Sequence, residues 1–96
     1  MHNRVLLRMR ELVRTSEYIV TVHAAEEIEA DELTIFDVEH AVLTGEIIER
    51  QKDEQTGQWK YVIEGVDLGG EPLRVVGRIS RAAKLVFITV FGLEQG

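Results

Sequence analysis

Residues 72–91, PLRVVGRISRAAKLVFITVF, decide how the chain is read. Two runs rich in β-branched and aromatic residues, PLRVVGRIS (72–80) and KLVFITVF (84–91), flank the short segment RAAK (81–84). That is the pattern of an antiparallel hairpin. Pro72, the single proline, stands at the first position of its strand, where a missing N–H is tolerated. With RAAK as the tip, pairing parity puts Leu73, Val75, Gly77 and Ile79 on one face with Val86, Ile88 and Val90. This wholly apolar face is expected to be the core. The opposite face then carries Arg74, Val76, Arg78 and Ser80 beside Leu85, Phe87, Thr89 and Phe91. Arg74 and Arg78 would lie roughly 13 Å apart on it, at about 3.3 Å per residue.

Upstream of the hairpin, EIIERQKD (46–53) and WKYVIEGV (59–66) read as two more strands, joined by the turn DEQTG and followed by the turn DLGGEP. Before Gly45 the apolar period changes from 2 to 3.6. Val5, Leu6, Met9, Leu12 and Val13 form a helical stripe, with Arg4, Arg8 and Glu11 on the other side. YIVTV (18–22) is short, β-branched and extended, and a second helix runs from about His23 to Glu32 with Ala24 and Ile28 inward. Thr34 and Asp37 have the spacing of a capping box, with aspartate in place of the usual Glu or Gln. They open a third helix carrying Ile35, Val38, Val42 and Leu43, and Gly45 is expected as the left-handed residue that ends it. The fold class expected is α+β: one domain over residues 1–96, with N-terminal helices packed on one face of a four-stranded antiparallel sheet.

Ninety-six residues, 45% of them apolar and 29% charged, suffice for one core. The absence of cysteine excludes disulfides and thiolate metal sites. No apolar run approaches the ~20 residues of a spanning helix, and there is no signal-peptide pattern, so a cytoplasmic location without membrane association is expected. Eleven basic against seventeen acidic residues give a net charge of −6, which argues against a general nucleic-acid coat protein. The charge is uneven, however. EEIEADE (26–32) holds five acids and no base, whereas LRVVGRISRAAK (73–84) holds four bases and no acid.

Two places carry candidate chemistry. On the hairpin's outer face, guanidiniums among aromatic rings and a hydroxyl suit phosphates and stacked bases. A solvated sheet face, with arginine stems covering apolar rings, is the plainer alternative. His23 falls where the YIVTV strand meets the acidic helix, at a helix N-terminus. A neutral imidazole there suits general acid–base work near neutrality, its unperturbed pKa being ~6.5. Capping the helix is its structural alternative. His23 and Glu27 stand at i, i+4, but one such pair is not a metal site. His2 lies at the terminus and is assigned nothing, and His40 is read as structural or surface. No phosphate-cradling glycine loop, nucleophile elbow or H-E-x-x-H motif is present.

The ordered set VHAAEE, LTIFDVEHAVLTGEIIERQKD, WKYVIEG, GGEPLRVVGRIS and LVFITVF resembles the bacterial family called domain of unknown function 4258, over about residues 12–91. That resemblance implies a fold like barnase, colicin and RelE-like RNases. It also implies a metal-independent RNA-cleaving toxin with no cofactor. The implied partners are RNA and a zinc-finger, MqsA-like antitoxin, and a homodimer stands open as a further arrangement. In that reading His23 is the general base or acid acting on the ribose 2′-OH, and Arg74 holds the scissile phosphate. Thr89 adds a hydrogen bond, while Arg78, Phe87 and Phe91 bind the substrate. Related chains often have basic residues after the histidine, where this one has EEIEADE. A non-catalytic protein-binding module on the same fold is therefore the alternative.

Overall fold

Helix α1 (Asn3–Arg14) buries Leu6, Met9, Leu12 and Val13, the stripe its apolar spacing requires. The computed structural model, which describes residues 2–93, continues with β1 (Tyr18–Val20), α2 (Val22–Ala30) and α3 (Ile35–Thr44). Thr21 caps α2, its Oγ1 accepting from the Ala24 N–H at 3.1 Å. The capping box of α3 is complete: Thr34 Oγ1 accepts from the Asp37 N–H, and an Asp37 carboxylate oxygen accepts from the Thr34 N–H at 2.8 Å. Asp37 also accepts from the Leu68 N–H at 3.0 Å, which ties the start of α3 to the turn between two strands. These backbone donors hold its carboxyl below the usual range.

Four strands follow: β2 (Glu46–Lys52), β3 (Trp59–Val66), β4 (Pro72–Ile79) and β5 (Leu85–Gly92). They form an antiparallel meander, but the sheet has five strands and is mixed, in the order β1-β5-β4-β3-β2. The expectation of a four-stranded antiparallel sheet is thus corrected. YIV is extended, as its composition indicates, but pairs in parallel with β5, Ile19 lying opposite Val86. The helices between β1 and β2 make the crossover that places β1 beside β5.

The hairpin reading holds for β4 and for only half of β5. Leu73 and Val75 are buried, with Ile63 of β3 opposite Val75, and Arg74 lies on the other face opposite Glu64. Beside them Val75 pairs with Val90, and Val76 with Thr89. Between Val76 and Gly77 the register shifts, and a bulge at Ile88 makes Gly77 pair with Phe87 and Ile79 with Leu85. One extra residue inverts the side-chain alternation toward the tip. Leu85 and Phe87 therefore enter the core at 0% exposure, and Val86 turns outward. Phe87, expected on the outer face, is a core residue packed against the Tyr18 ring at a centroid distance of 5.2 Å.

Gly45 differs from expectation too. Its φ of −93° and ψ of −173° are extended, not left-handed. Close approach explains the residue instead: a Cβ there would stand 2.5 Å from the Glu64 carbonyl oxygen. Gly65 is tighter still, since its Cβ would stand 2.2 Å from the Ala41 carbonyl oxygen. Helix α3 thus lies directly on the backbone of β3. All three helices share one buried cluster with Ile63, Leu73, Val75, Leu85, Phe87 and Val90. The other face of the sheet is left to Arg74, Arg78, Thr89 and Phe91, with Val62 and Val86 shielded among them.

Candidate functional site: the β5 edge and the open sheet face

Strand β1 covers only the first part of β5, pairing with Leu85–Phe87. Beyond it α2 runs along the same edge and takes over the unpaired backbone. Thr21 donates its N–H to the Phe87 carbonyl and its hydroxyl to the Ile88 carbonyl. Glu27 Oε1 then accepts from the Val90 N–H at 3.0 Å, and Asp31 Oδ2 from the Gly92 N–H at 3.1 Å. Residues four apart on a helix rise ~6 Å, close to the two-residue repeat of a strand. Two carboxylates therefore stand in for the next strand and block an exposed sheet edge. The acidic segment EEIEADE, which reads as hostile to RNA, has this structural task for two of its acids.

The same geometry positions His23. Successive helical residues turn by about 100°. Ala24 and Ile28 face the core, Glu27 and Asp31 face the β5 edge, and His23 comes next in that rotation, on the flank toward the open face. Its side chain is 67% exposed, and Nε2 lies 3.2 Å from Glu27 Oε1, the oxygen that also accepts from Val90. Thr21 caps the helix, so the capping alternative for His23 does not apply. The contact is an i, i+4 ion pair by distance, and either ring nitrogen can serve as the base.

On the sheet, Arg74 pairs in register with Phe91, one residue from the amide that anchors Glu27. The backbones carrying Arg74 and His23 thus lie on β4 and α2, with β5 between them. The Arg74 guanidinium itself turns the other way, toward β3, where Nε donates to Glu64 Oε2 at 3.0 Å and Nη2 lies 3.0 Å from the same oxygen. Arg78 donates to Gln58 Oε1 at 2.8 Å. Thr89 and Phe91 are half-buried on the same face as Arg74, whereas Phe87 is absent from it. His40 is structural: Nδ1 lies 3.0 Å from the Val66 carbonyl oxygen. Among the described residues no group of three or more His, Asp or Glu side chains could hold a metal. No helix among them is long and apolar enough to cross a membrane.

The His23–Glu27 pair is visible in the sequence as an i, i+4 spacing, whereas two further partners are not. Glu64 opposite Arg74 needed the β3–β4 register, and Gln58 beside Arg78 needed the turn geometry.

Together these features define an α+β protein with an oriented, exposed imidazole at the margin of an open, arginine-bearing sheet face. The chain belongs to the family described as Domain of unknown function (DUF4258), whose model matches residues 20–92. That span holds β2 to β5, α2, α3 and every candidate site residue, and leaves out α1 and all of β1 except Val20. No curated protein and no solved structure matches the chain.

Proposed function

We propose that the protein cleaves RNA without a metal, by attack of a ribose 2′-OH on the adjacent phosphate. The observation that carries the reading is the His23–Glu27 pair: an exposed imidazole oriented by a carboxylate that a sheet amide holds in place. A general base needs this combination of access and fixed direction. His23 takes the 2′-OH proton as the 2′-oxygen bonds to phosphorus. The bond from phosphorus to the 5′-oxygen breaks, and that oxygen takes a proton from solvent, giving a 2′,3′-cyclic phosphate and a 5′-hydroxyl. Arg74 neutralises charge on the phosphoryl oxygens, with Thr89 adding a hydrogen bond. Phe91 stacks a base and Arg78 meets a neighbouring phosphate.

An RNase of this kind has to be restrained in its own cell. The proposed restraint is a co-expressed antitoxin of the zinc-finger, MqsA-like kind covering the face of Arg74, Arg78 and Phe91, and Arg78→Glu is expected to weaken it. A second reading, a non-catalytic binding module, is favoured by one feature: the Arg74–Glu64 ion pair, which occupies the guanidinium that phosphate would need. Growth separates the two. Expression without a partner is expected to slow growth through RNA loss, and His23→Ala to abolish the effect with nearly unchanged melting temperature. Equal growth arrest by wild type and His23→Ala ends the catalytic reading.

A further inference from the structure

The turn end of the sheet holds a second cluster, on the helix-side face and apart from the open face. Trp59 begins β3 opposite Lys52, and the Arg50 guanidinium lies 3.9 Å from its ring centroid. Lys52 Nζ is 5.8 Å from the same ring. Trp59 is 42% exposed, large for a tryptophan whose neighbours Tyr61 and Ile79 pack on the core. Arg50 reaches it from β2. From the β4 side it lines a cavity of about 340 Å³ with Val5, Tyr61, Ile79 and Arg81. That volume is at the small end of the range for ligand pockets, roughly 300–1,000 Å³.

Charge decides what such a cavity suits. At the opposite end of the sheet a cleft is lined by Asp31, Asp67 and Glu71. The turn end carries Arg50, Lys52, Arg78 and Arg81. Of the two acids in the nearby turn, Asp53 is engaged with the Gln55 N–H. A chain of net charge −6 has thus gathered cations around its single tryptophan. Gln58, Ser80 and Arg81 also line a second depression with Arg78, which reaches the open face. Arg74, Arg78 and Arg81 therefore succeed one another along β4 and its turn, leading from the open face around the end of the sheet to Trp59.

We propose that this end is a subsite for single-stranded nucleic acid, in which a base stacks on Trp59 and backbone phosphates meet Arg50, Lys52 and Arg81. Aromatic stacking beside a basic track is how single strands are held without reading sequence. The inference rests on the proposed action on RNA and adds to it a second point of attachment, which would set the length of RNA needed for tight binding. An acidic peptide segment is the competing occupant for the same charges.

The test uses the full chain carrying His23→Ala and an eight-nucleotide oligodeoxythymidine, which lacks the 2′-OH and cannot be cleaved by this route. Trp59, as the sole tryptophan, reports from the site itself. Its emission is expected to change saturably on titration, with affinity falling as salt rises. Anisotropy of the labelled oligonucleotide is expected to show Trp59→Ala, Arg50→Glu and Arg81→Glu each weaker by roughly tenfold or more. Oligonucleotide binding that leaves Trp59 emission unchanged, or that Arg81→Glu does not weaken, overturns the proposal. So does a response of Trp59 to polyglutamate with none to the oligonucleotide. Saturable Trp59 binding in a chain whose wild type cleaves no RNA leaves the subsite standing and removes the cleavage reading. Cleavage with a silent Trp59 does the reverse.

Discussion

Replacing Glu27 by alanine removes an acceptor that holds both a sheet edge and the candidate base. The lost bond is charge-assisted, from the Val90 N–H to Glu27 Oε1 at 3.0 Å, with the carboxylate side chain 25% exposed. Hydrogen bonds to charged groups contribute about 1.5–3 kcal/mol, and partial exposure puts this one toward the lower end. Water can reach the freed amide only partly, since Val90 itself is at 0% exposure. A loss of about 2 kcal/mol is expected. With a urea m-value of roughly 1–2 kcal/mol/M, the unfolding midpoint falls by about 1 M or more at unchanged m. Asp31→Ala, at an exposed position, is expected to cost about 0.5–1 kcal/mol. Glu27→Gln keeps an acceptor oxygen without the charge and should fall between wild type and alanine. Urea unfolding followed by circular dichroism gives the midpoints, and hydrogen exchange gives the Val90 amide. An unchanged midpoint together with unchanged Val90 protection in Glu27→Ala would refute the view that α2 stands in for a strand.

Gly65→Ala puts a Cβ 2.2 Å from the Ala41 carbonyl oxygen, so α3 must lift from β3. About 3 kcal/mol is expected, against about 1 kcal/mol for Gly57→Ala, which has free space and only a φ of +72° to strain it. Thermal melts of the two variants check the order. Burial, then the hydrogen bond from its hydroxyl to Glu39 at 2.6 Å and the charge of that carboxylate, push the Tyr18 phenol up to about 12. A raised pKa means stability fully present below the unfolded value of about 10 and lost as pH rises through 12, which Tyr18→Phe should abolish. Asp37, held low, acts in the opposite sense. Its contribution is present above the unfolded value of 3.8 and lost as pH falls through the lower folded value, so Asp37→Asn should flatten acid unfolding. Melting temperature against pH reads both.

The helices and the meander were legible because their signals are local. The Thr34–Asp37 spacing marked the start of α3, the Met9 stripe marked α1, and the alternation in LRVVGRI marked the faces of β4. KLVFITVF has no such alternation. Either register looks equally apolar, so the bulge at Ile88 left no trace and Phe87 fell on the wrong face. YIV carried a β-branched signal but no hint of its parallel partner, more than sixty residues away. Of the site, His23 stood out by chemistry, and its Glu27 partner by spacing. The carboxylate caps on β5 were hidden because a helix lying beside a strand edge is a tertiary fact, and an acidic run reads the same when it is merely solvated.

The proposed cleavage depends on His23 acting on RNA held by Arg74. The most direct test is single-turnover incubation of a short RNA, in excess chelator, with wild type and His23→Ala. An identical strand with one 2′-deoxy nucleotide at the cut position serves as control. Fragments ending in 2′,3′-cyclic phosphate are expected from the wild type. The His23→Ala rate should be lower by roughly 10²–10⁴-fold, the span of a general acid–base contribution, and the deoxy strand should stay uncut at that position. Intact RNA in the wild-type reaction, or equal cleavage by His23→Ala, would contradict it.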